Sequence, residues 1–524
     1  MRCVVLNHLR MMIRMFAVYI FVAGFIFQSH AAGRAEHVVL VVWDGMRPDF
    51  VTPELTPTLC GLRSNGTWFA RHHSVYPTST EVNGAALATG AYPGRSGILA
   101  NNEFRPAIRA KRPVGTQELD VVRTGDKLSG GNYVAVPTLA ELVQRNGDRT
   151  AIAGTKAVVI LNDRAARTEA SASSVLMGDD ALPASLWPVL TNRFGVPPAS
   201  ASPNTARDEW TTRVLTEALW EKGVPKFSLL WLSEPDLTQH KHAPGSKQAL
   251  EAIRSSDDNL ALVLRELERR NLRDKTDIIV VSDHGFSTIS ANCDVGGALK
   301  RAGLKVSRSF ETPPAPGDIL LVINGGSVMF YVTARTPEII RRAVAALQGE
   351  PGAGVVFTRD GLPGTFKLRE AGIDAPHSPD IVLSFDWERG ETSTPGLMTR
   401  EGVAGGPVGG GMHTSLSPFD MHNICVASGP DFRAGFSSDI ASGNVDVMPT
   451  MAWVLGIKAK KADGRVLKEA LVGNEKIQPR IRQKKLVAKT DLPGGEWSQY
   501  LSVTEVNGVR YLDEGNGEFV RVAK

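Results

Sequence analysis

The fold of this 524-residue chain is decided by the stretch His37–Trp43, HVVLVVW, which runs directly into Asp44 and Gly45. A strand of apolar, mostly β-branched residues without polar alternation is typical of a strand buried on both faces. Two similar runs follow, FSLLWL at 227–232 and DIIVVS at 277–282, and helical patterns separate them. The sequence therefore predicts an α/β fold with a central, mainly parallel sheet and helices on both faces.

Changes in pattern along the chain predict its domain organisation. The strand and helix alternation covers residues 37–475, which we interpret as one large α/β domain. Within it, the Pro- and Gly-rich residues 285–380 predict an inserted subdomain or lid, and GVAGGPVGGG at 402–411 predicts a flexible loop. Residues 476–524 predict a small C-terminal β extension built from short strand-like pieces at 500–506, 509–512 and 519–522.

The first 31 residues have the pattern of a secretory signal peptide. Three arginines and no acidic residue precede an apolar run at 15–27, and small residues follow at Ser29 and Ala31. The run is shorter than the roughly 20 residues that span a bilayer, although an uncleaved membrane anchor is the alternative. We expect a periplasmic or secreted protein, cleaved near Ala31, without a membrane span in the mature chain.

Charge and cysteine content limit the classes of partner. The formal net charge is +4, and removal of the three N-terminal arginines leaves +1 (4 − 3), so bulk electrostatic binding of nucleic acid is not expected. Cys60, Cys293 and Cys425 remain in the mature chain at scattered spacings, without a CxxC pair. This pattern excludes a disulfide framework and leaves open one bridge with one free thiol.

Carboxylate and imidazole side chains follow the three apolar strands and the glycine-rich run. They are Asp44, Asp236, His240, Asp283, His284 and His413. The carboxyl edge of a parallel sheet is where open α/β folds bind ligands. Carboxylates and imidazoles without a thiolate favour a catalytic zinc site over a closed structural one. One Asp–His pair is usually a cap or loop hydrogen bond; the coincidence at three strand ends favours a metal centre.

A hydroxyl-rich turn, PTSTEVNG at 77–84, leads into a helix of small residues predicted over 80–89. It places Thr80 at a helix N-terminus, where free N–H groups and the helix dipole favour an oxyanion. A threonine in this place is usually only an N-cap. An adjacent metal ion would lower the pKa of its hydroxyl and make it a nucleophile without a His/Asp triad.

These motifs together resemble the alkaline phosphatase superfamily and, within it, the nucleotide pyrophosphatase/phosphodiesterase family. The resemblance runs from about residue 37 to 470. The matching stretches are VVWDGMRPD (41–49), YPTSTEVNGAALATGAYPGRSGI (76–98), SEPDLTQHKHAPG (233–245), VSDHGF (281–286), GMHTSLSPFDMHNICVASGPDF (411–432) and NVDVMPTMAWVLGI (444–457).

The resemblance implies a site with two zinc ions. One zinc would be bound by Asp236, His240 and His413, and the other by Asp44, Asp283, His284 and the Thr80 oxygen. Thr80 is the implied nucleophile, and Asn83 would donate a hydrogen bond to a phosphoryl oxygen. The aromatic-Pro pair that the family often has between Thr and Asn is replaced by Glu81 and Val82, which puts the substrate pocket in doubt.

The substrate class stays open between a diester and a monoester. Asn83 favours a diester, whereas GTKAVVILNDRA at 154–165 resembles a Lys-x-Arg element of threonine-dependent monoesterases. In that element Asn162 takes the lysine position and Arg164 is retained, with Lys156 nearby. Arg164 is equally consistent with a surface salt bridge.

The favoured hypothesis is an exported two-zinc phosphodiesterase or nucleotide pyrophosphatase that acts through a phospho-threonine intermediate on a small phosphoester, such as a nucleotide. Asn102, Lys156 and Arg164 are the candidate substrate-binding residues. The alternatives are a phosphomonoesterase or phosphonate hydrolase on the same metal core, and a non-catalytic exported protein that binds metal or phosphate.

Overall fold

The computed structural model describes residues 33–165, 173–390, 397–402 and 407–521, the third range by its backbone alone. The predicted signal peptide and residues 403–406 of the glycine-rich loop lie outside these residues. Within them, nine strands form the central sheet. In sheet order the strands are Phe436–Ser438, Thr67–Phe69, Cys425–Ser428, Thr276–Val281, His37–Trp43, Phe227–Leu232, Thr150–Gly154, Ser174–Met177 and Asp180–Leu182.

The central sheet is mixed and mostly parallel. Cys425–Ser428 and Asp180–Leu182 run antiparallel to their neighbours, and the other seven strands of the sheet run in one direction. The strand His37–Trp43 lies in the middle, with Val42 opposite Val281 on one side and Trp231 on the other. Because these three strands are parallel and in register, the residues that follow them meet at one edge of the sheet.

Helices cover both faces of the sheet, as the alternating apolar strands predict. Val38, Leu40 and Val42 pack on one face in a cluster that includes residues of helices 80–89, 139–145 and 444–454. Val39, Val41 and Trp43 pack on the other face against helices 57–64, 205–213 and 247–269. Successive strand residues point to opposite faces, so one short run binds both helical layers.

The α-helices are short apart from one of 23 residues. They are Pro57–Ser64, Thr80–Thr89, Pro93–Ser96, Leu119–Ser129, Leu139–Arg145, Leu186–Phe194, Thr205–Arg213, Asp236–His242, Lys247–Arg269, Val295–Arg301, Pro337–Gln348, Pro418–Met421 and Asn444–Val454. Thr205–Arg213 continues as a π-helix over Val214–Leu219. No helix in the described part of the chain combines the length and apolar character that crossing a membrane requires.

Smaller sheets accompany the central sheet, and the largest of them lies mostly in the segment that interrupts the main pattern. A six-stranded sheet contains Val306–Ser307, Ile319–Asn324, Ser327–Val332, Ile381–Phe385, Ala353–Thr358 and Phe366–Lys367. A four-stranded sheet contains Trp387–Arg389, Leu397–Gly402, Ser287–Cys293 and Gly411–Met412. Two-stranded sheets pair Ser442–Gly443 with His72–His73 and Asn102–Glu103 with Val114–Gly115.

The C-terminal residues form three long antiparallel strands, Ile481–Leu492, Gly495–Val506 and Val509–Arg521. The strand-like pieces predicted there lie in the second and third of these strands, but both strands are longer than predicted, and the first strand was not predicted. Glycines and charged residues interrupt the apolar pattern, but ladder pairing along the whole length holds the strands extended. The buried Gln499 also pairs with the backbone N–H and C=O of Val356 in the six-stranded sheet.

No disulfide joins the three cysteines in the described part of the chain. Cys293 and Cys425 are buried, and burial raises the pKa of the Cys425 thiol. The possible disulfide is therefore absent from the structure.

Candidate active site

The helix Thr80–Thr89 is buried along its whole length and brings its first residue to the edge of the central sheet. Small residues allow this burial, since a Cβ added at Gly84 would lie 2.6 Å from the Val158 side chain. Gly90 ends the helix in the left-handed conformation at φ 66°. Thr80 is 4% exposed, and its Oγ1 lies 3.3 Å from His284 Nε2.

Three buried aspartates stand at the carboxyl ends of the three central strands. The Asp236 N–H donates to the Asp44 carbonyl at 2.9 Å, and the Gly45 N–H donates to Asp283 Oδ1 at 3.1 Å. One oxygen of each aspartate, Asp44 Oδ1, Asp236 Oδ1 and Asp283 Oδ2, has no hydrogen-bond partner among the described residues. Buried acceptors are rarely left without a partner in folded proteins, so these oxygens indicate a missing ligand.

Three histidines face these oxygens in one tautomer. The Nδ1 atoms of His284, His240 and His413 lie 2.9, 3.2 and 2.7 Å from the carbonyl oxygens of Gly285, Gly411 and Thr78. A carbonyl only accepts, so each Nδ1 carries the hydrogen and each Nε2 of a neutral ring keeps its lone pair.

The Nε2 atoms point at the unpartnered carboxylate oxygens. His284 Nε2 lies 3.5 Å from Asp44 Oδ1 and 3.3 Å from Asp283 Oδ2. His413 and His240 place Nε2 3.5 and 3.2 Å from Asp236 Oδ1. Burial lowers the pKa of His284 and His413, which keeps both rings neutral. Lone pairs that face carboxylate oxygens at these separations are suited to cations between them.

The three aspartates lie close together, and little positive charge offsets their negative charges. Burial and the neighbouring Asp283 carboxylate raise the pKa of Asp44 to about 8, and burial raises the pKa of Asp283 to about 7. Burial would raise the pKa of Asp236 too, but the Lys156 ammonium holds it well below its usual range. Lys156 Nζ lies 3.0 Å from Asp44 Oδ2 and also contacts Asp236 Oδ2. One ammonium group therefore has to offset the charge of three carboxyl groups.

The donors of this cluster fit metal ions with a preference for nitrogen and oxygen ligands, such as zinc. Two ligand groups have all their donor atoms within 4.8 Å: Asp236 with His284 and His413, and Asp44 with Asp283 and His284. His284 thus lies between the two groups, whereas the family resemblance assigns it to one ion. The structure brings all six predicted ligands and Thr80 together at one sheet edge, and we call this group the catalytic-edge cluster.

Asn83 does not have the geometry expected of a phosphate-binding group. Its Oδ1 accepts from the Val75 N–H at 2.7 Å and from Asn444 Nδ2 at 2.9 Å. Its Nδ2 donates to the carbonyls of Val75 and Ser79 at 3.0 and 3.1 Å. Both donor and both acceptor directions are used within the protein, so Asn83 braces the turn before Thr80 and has no hydrogen to offer a phosphoryl oxygen.

Asn101 stands beside the nucleophile helix, although the sequence prediction selected its neighbour Asn102. Asn101 Oδ1 accepts from the N–H of Glu81 at 3.1 Å, directly after Thr80. Its Nδ2 makes no hydrogen bond within the described chain and is free to donate. The exposed Asn102 instead pairs through its backbone with the Asn324 amide.

Arg164 is buried in a structural network and is neither a surface salt bridge nor part of the catalytic-edge cluster. Its guanidinium bonds Asp126 at 3.1 Å and Glu141 at 2.7 Å. It also donates to the carbonyls of Gly131 and Val134. These contacts hold together the ends of the helices Leu119–Ser129 and Leu139–Arg145.

Two further residues contact the cluster, and a third directly follows Thr80, without having been predicted as site residues. Trp231 Nε1 donates to Asp44 Oδ2 at 2.8 Å, and Asn444 Nδ2 donates to the Asp283 carbonyl at 2.7 Å. The Glu81 carboxyl is buried with Oε2 unpartnered, and burial raises its pKa to about 7. A tryptophan near the end of a buried strand was the available signal for the first; only the tertiary structure places the other two.

A mostly parallel sheet with carboxylates, imidazoles and a helix-terminal hydroxyl at its carboxyl edge defines a metal-dependent hydrolase of the alkaline phosphatase-like class. The comparison with protein families is more specific. The model for type I phosphodiesterase / nucleotide pyrophosphatase matches residues 38–396, more than half of the chain. The chain belongs to this family of phosphoric ester hydrolases, as its motifs predict.

Individual relatives are distant. The venom phosphodiesterase of Crotalus durissus collilineatus is 26% identical over 281 residues, which are 51% of this chain and 28% of that protein. A venom phosphodiesterase of Naja atra is 26% identical over 262 residues, 49% of this chain and 27% of that one. This chain thus spans little more than a quarter of their length. The bis(5'-adenosyl)-triphosphatase of Mus musculus is 23% identical over 433 residues, 82% of this chain and 80% of the relative.

Solved structures show the same fold. Murine ectonucleotide pyrophosphatase / phosphodiesterase 5, an inactive variant in complex with AMP, superimposes with a TM-score of 0.61 at 20% identity, over 83% of this chain and all of that chain. The human protein of the same name gives 0.60 at 18% identity, with the same coverage. The α/β fold class predicted from the strand pattern is therefore confirmed.

Proposed function

We propose that this chain is an exported phosphodiesterase or nucleotide pyrophosphatase that uses two zinc ions and a threonine nucleophile. The observation that carries the proposal is the match of three unpartnered carboxylate oxygens with three Nε2 lone pairs beside the Thr80 hydroxyl. The family to which the chain belongs supports the reaction class.

Two sets of side chains would hold the metal ions. Asp44, Asp283, His284 and the Thr80 oxygen form one set, and Asp236, His240 and His413 form the other. Bound there, the ions supply Lewis-acid charge that stabilises the attacking and leaving oxygens of an in-line displacement. His284 lies close enough to both sets to set the spacing between them.

Thr80 performs the covalent step. Its oxygen attacks phosphorus; a P–O bond to Thr80 forms as the bond to the leaving oxygen breaks, and the hydroxyl proton ends on the released leaving group. Water then attacks the phospho-threonine from the side the leaving group vacated, which releases the second product and restores Thr80. The positive end of the dipole of the helix Thr80–Thr89 stabilises the developing negative charge.

Asn101 and Lys156 are the side chains placed to bind the phosphoryl group. Asn101 replaces Asn83 in this role, because its Oδ1 is fixed by the Glu81 N–H and its Nδ2 remains available. Burial alone would lower the pKa of Lys156, but Asp236, Asp44 and Asp283 raise it, so the ammonium stays charged in the cluster.

A phosphomonoesterase is the second candidate, and Lys156 is the observation that favours it. A monoester carries one more negative charge than a diester, and the half-buried Lys156 ammonium at the cluster would stabilise that charge. The diester remains our first choice, since the matched venom relatives are phosphodiesterases by name. A nucleotide substrate is proposed by analogy with the AMP complex of the murine structure.

The test is a paired assay on the mature chain loaded with zinc. We expect faster hydrolysis of bis-(p-nitrophenyl) phosphate than of p-nitrophenyl phosphate, and a loss of more than about a thousandfold in Thr80→Ala with zinc still bound. Thr89→Ala, at the other end of the same helix, is the matched control and should stay active. The reverse preference establishes the monoesterase; an active Thr80→Ala refutes the nucleophile; hydrolysis of neither ester by zinc-loaded protein establishes the non-catalytic alternative.

Export and the domain division are part of the proposal. Residues 1–31 would be removed as a signal peptide, residues 37–475 would form the catalytic domain with an insertion within 285–380, and residues 476–524 would form the β extension. N-terminal sequencing of the protein from the periplasm or medium should give a start near Ala32. An intact N-terminus in the membrane fraction would establish an anchor instead.

A further inference from the structure

A second group of imidazole and carboxylate side chains lies where the C-terminal sheet meets the α/β part of the molecule. The junction cluster consists of His73, His422 and Asp513, whose donor atoms all lie within 4.8 Å of one another. His73 ends a short strand, His422 follows the helix Pro418–Met421, and Asp513 lies in the strand Val509–Arg521. Three distant segments of the chain therefore converge here, outside the catalytic-edge cluster.

The hydrogen bonds of His73 orient its second nitrogen toward Asp513. His73 Nδ1 lies 2.9 Å from the Ser442 carbonyl oxygen and must donate to it. Its Nε2 lies 3.0 Å from Asp513 Oδ1. In a neutral ring this Nε2 is an acceptor that faces another acceptor. The contact is favourable only if a proton or a metal ion lies between the two atoms.

A proton on His73 would account for the His73–Asp513 contact, but it would not account for the unbonded His422 ring beside it. That ring makes no hydrogen bond within the described residues, although its centroid is 4.4 Å from that of His73 with the rings tilted by 50°. A protonated His73 would satisfy Asp513 and repel any charge on His422, whereas a metal ion would use all three groups.

The spacing and the surroundings fit a tetrahedral ion. Ligand atoms about 2.0–2.1 Å from zinc lie about 3.3 Å apart, close to the 3.0 Å that separates His73 Nε2 from Asp513 Oδ1. Thr504 Oγ1 donates to Asp513 Oδ2 at 2.8 Å and Arg71 donates to Oδ1 at 3.2 Å, which fixes the carboxylate as outer partners of metal ligands do. An open cleft beside His422 and Asp513 leaves a path for the ion and a water ligand.

We propose that the junction cluster is a further zinc site, of structural character, with His73, His422 and Asp513 as protein ligands. The ion fastens the C-terminal sheet to the α/β part, because one ligand comes from that sheet and two come from the main body. The junction cluster should bind its single ion more weakly than the catalytic-edge cluster binds its ions, because Arg71 already offsets the Asp513 charge. The inference does not depend on the proposed hydrolase activity.

The test counts zinc ions bound by the mature chain, its His422→Gln and Asp513→Asn variants, and a His37→Gln control. One ring nitrogen of His37 likewise lies against a carbonyl oxygen, but His37 is the first residue of the central strand and belongs to neither cluster. After dialysis against buffered zinc, we expect one ion fewer per chain in each junction variant and none fewer in the control. The zinc-dependent rise in melting temperature should shrink in both junction variants, while phosphoester hydrolysis stays within about twofold of the wild type.

Equal zinc content in the wild type and His422→Gln would overturn the proposal, and the His73–Asp513 contact would then be an ion pair alone. Melting temperatures measured in chelator separate this result from misfolding. When metal is absent, the variants should unfold at the same temperature as the wild type. If His422→Gln unfolds at a much lower temperature than the wild type in chelator, the zinc content of Asp513→Asn decides the question instead.

Discussion

The catalytic-edge cluster and the junction cluster contain the same two kinds of ligand but balance charge differently. At the catalytic edge three buried aspartates share one ammonium, and each retains an unpartnered oxygen. At the junction one aspartate has both oxygens in hydrogen bonds and faces Arg71 and two imidazoles. Added cations are therefore required by the carboxylates at the catalytic edge, whereas at the junction only the two imidazole rings leave a nitrogen for an ion.

The largest effect should separate the two clusters directly. Asp236→Asn removes a carboxylate charge from the catalytic edge and should lower kcat/KM for the preferred ester by more than about a thousandfold, with loss of bound zinc. Asp513→Asn is the matched change at the junction and should lose one ion while it retains activity. Zinc analysis and ester hydrolysis on both variants are the measurements. An inactive Asp513→Asn that folds normally would contradict the separation of the clusters.

A smaller effect concerns the charge of Lys156 within the catalytic edge. Lys156→Met should lower monoester hydrolysis by about a hundredfold and diester hydrolysis by about tenfold, because the dianionic monoester gains more from the ammonium. The ratio of kcat/KM for p-nitrophenyl phosphate and bis-(p-nitrophenyl) phosphate gives the comparison. Lys222→Met, an exposed lysine, is the control. Equal losses for both esters would mean that Lys156 acts on the aspartates and not on the phosphoryl group.

The two asparagines beside Thr80 should differ in what they lose. Asn101→Ala should lower kcat/KM by about tenfold with an unchanged melting temperature, since it removes a donor with no protein partner. Asn83→Ala should lower the free energy of unfolding by about 2 kcal/mol, because four buried hydrogen bonds lose one partner. Asn102→Ala should change neither quantity. Kinetics and denaturant unfolding of the three variants decide between these roles.

A pH-dependent effect concerns a buried carboxyl that holds a proton in place of a cation. Burial and the neighbouring Asp431 carboxylate raise the pKa of Asp277 to about 8. Between the ordinary value near 4 and about 8, the folded state holds a proton that the unfolded chain releases, so stability falls as pH rises across this window.

Asp277→Asn removes this dependence. The free energy of unfolding of the variant should gain on the wild type by about 1.4 kcal/mol for each pH unit between about 5 and 8. Denaturant unfolding at several pH values measures the difference. Parallel pH profiles of the two proteins would show that Asp277 ionises normally in the folded state.

Most elements of the central sheet were predictable from local pattern. The runs at 37–43 and 227–232 appear as strands with the predicted bounds, and the helix Thr80–Thr89 begins and ends where its turn residues indicate. The capping box of Thr138 and Glu141 is present in the structure. These features depend on neighbours in sequence and on burial of whole strands, and both kinds of information are written in the residues themselves.

The sequence by itself determined the α/β fold, the family and the set of aspartates and histidines at the sheet edge, because each of these follows directly after an apolar strand or a short motif. Only the tertiary structure decided the hydrogen-bond and ion-pair partners of Asn83, Asn101, Arg164 and Lys156, and the length of the C-terminal strands. The reason is physical: whether an amide or a cation is free depends on hydrogen-bond partners from distant segments. Asn444, 361 residues from Asn83, takes up one of its bonds.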